Sequence, residues 1–230
     1  MKKYALNNSY FKYRNPGDPD TPAEVVNHLL ANGELPFRYD GENWPYDMVC
    51  ERQKRRGVIH CQHLTPDDAA ERMAHLAHMY ATQTNSALDA CCGTGQITKM
   101  LMGDGFEVCG FDIDPDMMAV YNYLYPHNEG ETVDFDDLKD RRYELVVSNP
   151  PFDREIAPRF MAWLAGSMAP RGIAVLLLLE GYVDKDKPKA LVQTLSCFRI
   201  LTREPVTAKF AHTNTMCEVV VLEKIDGEGR

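Results

Sequence analysis

A chain of 230 residues with 44% apolar side chains has enough material for one packed domain of roughly 150 to 170 residues plus an appendage. That composition excludes extended disorder and a collagen-like or disulfide-scaffold chain. The formal net charge of −9, with an isoelectric point near 5.3, argues against a protein that grips nucleic acid over its whole surface, because that needs a basic footprint.

No run approaches the roughly 18 apolar residues of a membrane span. The start, Met1-Lys2-Lys3-Tyr4-Ala5-Leu6, lacks the apolar stretch of a secretory signal. Seven cysteines, an odd number with Cys91 and Cys92 adjacent, fit free thiols better than a disulfide framework. Together these features point to a cytoplasmic chain. Cys50, His60, Cys61 and His63 are ligand types close in sequence, but no Cys-x-x-Cys occurs, and no metal is expected.

Residues 1–61 form an irregular N-terminal extension rich in Pro, Asn, Gly and aromatics, with one short helix over Pro22 to Ala31 capped by Thr21. A basic run, Arg52, Lys54, Arg55 and Arg56, closes it, and a solvated face explains that run as well as contact with substrate phosphates does.

From Thr65 the pattern becomes alternating strand and helix. Thr65-Pro66-Asp67-Asp68 reads as a helix start with a hydroxyl cap, a proline at the first helical position and acids in the first turn; the helix runs to Tyr80. Ala87 to Ala90 is a strand, Gln96 to Met102 a helix, Glu107 to Phe111 a strand and Pro115 to Tyr125 a helix. Tyr143 to Ser148 is a buried strand, Ile156 to Met168 an amphipathic helix, and Gly172 to Leu179 a central strand buried on both faces. Lys189 to Leu195 (helix), Arg199 to Pro205 and Cys217 to Glu223 (strands) close the pattern. Such alternation implies an α/β fold with a largely parallel sheet covered by helices on both faces. Ligands in these folds sit at the carboxyl ends of the strands.

Three strand ends carry unusual chemistry. Asp89-Ala90-Cys91-Cys92-Gly93-Thr94-Gly95 places glycines between strand and helix, where a ligand can approach the backbone. Asp112, closing the next strand roughly 20 residues on, is placed to accept ribose hydroxyls. No Gly-x-x-x-x-Gly-Lys-Ser/Thr is present, and Thr98 stands where a dinucleotide fingerprint needs its third glycine. The loop therefore suits a cationic ligand with an amino-acid end. Asn149-Pro150-Pro151-Phe152 closes the strand from Tyr143. Its prolines forbid helix and ladder bonding, leaving the Asn149 oxygen and a proline carbonyl as rigid acceptors for both protons of a planar amino group. Phe152 is placed to stack on a flat substrate.

These motifs, in this order, resemble the S-adenosylmethionine-dependent amino-methyltransferases, in particular the gamma-type N6-adenine enzymes with an Asn-Pro-Pro-aromatic motif. The resemblance spans residues 62–224 and leaves 225–230 as a tail. It implies a Rossmann-like class I methyltransferase fold with a seven-stranded, mostly parallel sheet. It also implies S-adenosylmethionine as cofactor, held by His63, Thr65, Pro66, Asp89, Cys91, Gly93, Gly95, Asp112, Ile113, Asp134, Phe135 and Asn149, with Asp134-Phe135 at its adenine. Asn149, Pro150, Pro151 and Phe152 would be catalytic. Lys209-Phe210 is similar to a position that stacks the target base in some members. The implied reaction is methylation of adenine N6 in nucleic acid, with DNA favoured over RNA. Protein glutamine methylation, where tyrosine usually follows the prolines, and a non-catalytic cofactor-binding subunit are the alternatives. Only Ile225 to Arg230 follow Lys224, so no target-recognition domain is expected after the sheet. Specificity would then come from the extension or from a partner subunit.

Overall fold

The structure is a computed structural model and describes residues 17–39, 44–48, 63–138, 140–184, 189–206 and 216–225. The basic run at 52–56, Cys50, His60, Cys61 and Lys209-Phe210 lie outside them. Among the described residues no group of His, Cys, Asp and Glu could hold a metal ion. No helix there is long and apolar enough to cross a membrane.

Seven strands, β1 (Ser86–Ala90), β2 (Glu107–Asp112), β3 (Gly130–Thr132), β4 (Tyr143–Ser148), β5 (Met168–Leu179), β6 (Phe198–Val206) and β7 (Cys217–Lys224), form one sheet in the order β3-β2-β1-β4-β5-β7-β6. The first five are parallel, and β7 lies antiparallel between β5 and β6. Among the described residues, the helices of seven residues or more are α1 (Pro22–Asn32), α2 (Asp67–Tyr80), α3 (Gln96–Gly103), α4 (Pro115–Leu124), α5 (Ile156–Ser167) and α6 (Lys189–Leu195), and residues 44–48 are also helical.

Side chains that alternate along the strands feed two separate cores. Val147, Val175, Leu177 and Val219 pack with Met73 and Leu76 of α2 and Leu101 of α3 on one face. Val146, Leu176, Leu178 and Val220 pack with Phe160, Trp163 and Leu164 of α5 on the other. This period-two division of an almost wholly apolar run is what burial on both faces requires of a central strand.

Some boundaries differ from the sequence reading. Met168 begins β5 rather than ending α5; the chain then bends through Arg171, whose φ of 59° is left-handed. The short edge strand β3 pairs with β2 and has no apolar run to announce it. Thr21 caps α1 as expected, in a capping box with Glu24. Thr65 does not cap α2: the cap position is Pro66, which forms no side-chain hydrogen bond. The described part of the extension is seated on the domain, α1 lying against α4.

Candidate active site

A cleft of about 250 Å³ opens at the carboxyl ends of the parallel strands. The loop after β1 turns back through left-handed conformations at Cys91 (φ 57°), Gly93 (φ 54°) and Gly95 (φ 89°). The two glycines serve different ends. A Cβ on Gly93 would meet nothing within 4 Å, so its bare backbone is open to the cleft, whereas one on Gly95 would lie 2.3 Å from the Tyr125 ring. Gly95 is thus required by the packing of Tyr125, whose hydroxyl donates to the Gly95 carbonyl at 2.8 Å. It does not line the cleft, and neither does Pro66. Both depart from the expected cofactor contacts.

Asp89 also departs from expectation. It is fully buried behind the loop, where its Oδ2 accepts from the Thr98 amide at 2.9 Å and the Thr98 hydroxyl at 2.7 Å. Its Oδ1 is buried without a partner. Burial raises the Asp89 carboxyl to about 7, against the lowering effect of the Thr98 hydrogen bonds. Asp112, at the end of β2, lines the cleft. It accepts from the Gly93 amide at 3.0 Å and the Asp114 amide at 2.9 Å, one on each oxygen. A carboxylate has about four lone-pair sites, so capacity remains for two further donors such as a ribose diol. Burial pushes Asp112 up to about 6.

Ile113, half exposed at 56%, Asp134 and Phe135 continue the wall. Asp134 caps a single helical turn, accepting from the Asp136 amide at 3.0 Å. Phe135 is wedged edge-on against Phe160 of α5, with centroids 5.7 Å apart, and the Arg159 guanidinium lies over its ring at 5.5 Å. Arg159 is paired with Asp136. The interior is acidic: burial first, then Asp112, Asp89 and Asp134, push the Cys91 thiol well above its ordinary value.

The opposite wall is Asn149, Pro150, Pro151 and Phe152, facing His63 and Thr65. The Asn149 Nδ2 donates to the His63 carbonyl at 3.1 Å and to the Thr65 Oγ1 at 3.0 Å. The carbonyl can only accept, which fixes which end of the carboxamide is nitrogen. Both donors are thereby spent on the segment before α2. Phe152 stacks on the His63 ring, centroids 6.3 Å apart and planes 21° from parallel.

His63, Thr65, Cys91, Gly93, Asp112, Ile113, Asp134, Phe135 and Asn149 to Phe152 line one cleft. Sequence reasoning did not single out Tyr46, Met117, Val133 and Arg159, which also line it. Val133 adjoins Asp134 and could have been found by adjacency; Met117, one helical turn beyond Ile113, could not. Tyr46 carries no such signal.

Residues 88–175 match the profile of a family described as "Methyltransferase domain". No curated protein matches the chain. Among solved structures, the chain is similar to a Pyrococcus horikoshii protein provisionally described as an RNA methyltransferase. The identity is 17%, the TM-score 0.57, and 73% of this chain and 87% of that chain are covered. It is similar to a Listeria monocytogenes protein provisionally described as a class I S-adenosylmethionine-dependent methyltransferase, at 12% identity and TM-score 0.60, covering 81% and 69%. An S-adenosylmethionine-dependent methyltransferase from Clostridium acetobutylicum aligns at 12% identity and TM-score 0.56, covering 80% and 100%. The fold is that of the class I S-adenosylmethionine-dependent methyltransferases. The profile match covers residues 88–175 alone, and the likeness to these structures is one of fold. The cleft has features that suit S-adenosylmethionine: the open face of Gly93 leaves room for it, and Asp112 and Asp134 in the lining suit a cation.

Proposed function

We propose that this protein methylates the N6 amino group of adenine in nucleic acid, with DNA the favoured substrate. The observation that carries this reading is the state of Asn149. Its NH2 group is committed to His63 and Thr65, so its Oδ1 is the end of the carboxamide left to accept a hydrogen bond from a substrate amine. Pro150, the next residue, also lines the cleft, and its carbonyl would be the second acceptor; the residue that follows is also a proline, without an N–H to offer.

S-adenosylmethionine, when bound, supplies a methyl group activated on a sulfonium. Asp112 would hold its ribose, the Gly93 loop its amino-acid end, and Ile113, Asp134 and Phe135 its adenine. The protein's part in the reaction is then one of orientation. The lone pair of an aromatic amine is delocalised into the ring and is a poor nucleophile. Two fixed acceptors on its hydrogens, Asn149 Oδ1 and the Pro150 carbonyl, favour the pyramidal geometry that aims the lone pair into the cleft. As nitrogen gains positive charge, the same two oxygens stabilise it, and the surplus proton leaves to solvent. Phe152, held against His63, offers a face on which the target ring stacks. A base in a duplex must first be turned out of the helix.

DNA is favoured because His63 to Pro66 and Asn149 to Phe152 resemble subunits of bacterial restriction-modification systems. Incubation with methyl-labelled cofactor and unmethylated DNA, RNA or protein, followed by digestion, tests the reading. N6-methyldeoxyadenosine is the expected product. Label only in N6-methyladenosine would reassign the substrate to RNA, label in glutamine would reassign it to protein, and no label in any acceptor would remove the activity.

A further inference from the structure

We infer that Tyr46 of the N-terminal extension is a cofactor-binding residue, so that the site is composite: strand ends supply its floor and the extension supplies one of its sides. This rests on the cofactor reading above. Tyr46 is buried, 5% exposed, and forms one cluster with Met117 of α4 and Leu64. Those two contacts belong to different walls. Met117 lies on the helix that begins just after Asp112, and Leu64 lies between the two residues gripped by Asn149. Tyr46 therefore bridges α4 and the segment held by Asn149 while also lining the cleft. The extension is held there independently, by α1 against α4 and by a cluster of Val25 and Phe37 with Met48, two residues beyond Tyr46.

An aromatic side in this position has two physical effects. It removes apolar ligand surface from water, and it keeps water from competing for the remaining lone pairs of Asp112. Both act on cofactor affinity and neither on the acceptor motif.

Titration calorimetry of the full chain with S-adenosylhomocysteine tests the inference without requiring turnover. Tyr46→Phe should keep the affinity within about twofold. Tyr46→Ala should weaken it about tenfold, equivalent to about 1.4 kcal/mol, with the thermal transition still cooperative. If Tyr46→Ala does not fold, Tyr46→Leu, which preserves apolar contact but not the planar ring, should weaken binding by about threefold. An affinity unchanged in whichever of these two variants folds overturns the inference. Absence of binding by the unsubstituted protein would instead overturn the cofactor reading, and the inference with it.

Discussion

The Asn149 carboxamide and the Thr65 hydroxyl are 3.0 Å apart, in a hydrogen bond that spans 84 residues of sequence and joins the acceptor-side motif to the segment before α2. One side chain thus has two duties, with its nitrogen holding the opposite wall and its oxygen left for the substrate. Asn149→Ala should lower kcat by about 10² to 10³-fold, the range for removing one preorganised polar group that acts in the transition state. Because His63 and Thr65 are released as well, S-adenosylhomocysteine affinity should fall by a few fold. Thr65→Val, which removes only the acceptor, should lower kcat about tenfold. Near-normal turnover in both variants would break the assignment.

The two loop glycines should separate by assay. Gly95→Ala forces a Cβ to 2.3 Å from the Tyr125 ring at a left-handed φ, and should destabilise the fold by about 2 to 4 kcal/mol. Gly93→Ala meets open space at its left-handed φ, so its stability cost should stay near 1 kcal/mol while cofactor affinity drops. Chemical denaturation and calorimetry on the two variants check this, and the reverse ranking would contradict it.

Cofactor affinity should depend on pH through Asp112 and Asp89. Burial raises them to about 6 and about 7, so both are largely protonated at pH 5 and ionised at pH 8. A cationic ligand prefers the ionised forms, so S-adenosylmethionine should bind about tenfold more weakly at pH 5 than at pH 8. The uncharged sulfur of S-adenosylhomocysteine should give a smaller change. Stability of the ligand-free protein runs the other way. A carboxyl whose folded pKa is raised contributes stability that is complete below its unfolded value near 4 and is lost as pH rises through 6 to 7. Flat binding between pH 5 and 8 in the parent, or a pH profile left unchanged in Asp112→Asn, would argue against this.

Glu218 on β7 is 5% exposed and accepts from Arg203 twice, both at 2.8 Å, and from the Gly181 amide at 3.1 Å. Arg203 also reaches Asp184 at 2.7 Å, tying β6 and β7 to the turn after β5. Glu218→Ala removes three hydrogen bonds but leaves Arg203 partly exposed and still paired with Asp184, so it should cost about 1 to 2 kcal/mol. A denaturation midpoint within error of the parent would show the clamp to be idle.

Most of the frame was legible because its signals are local. Strand alternation, glycine turns and the paired prolines each declare themselves within ten residues. What escaped depended on distance or on the far side of a contact. Thr65 has the chemistry of a helix cap, but Asn149 takes its hydroxyl. Asp89 occupies a motif position, yet Thr98 draws it inward. Gly95 answers to Tyr125 rather than to a ligand, and Tyr46 reaches the cleft only by tertiary packing.

The sheet's two borders have a consequence for self-association. On one side β3 offers only three residues. On the other, β6 carries Arg199, Arg203 and Glu204 together with Pro205, which has no amide hydrogen to donate. Among the described residues, both margins are thus blunted against the addition of a strand from another copy, which disfavours growth of an open core rich in valine and leucine into fibrils.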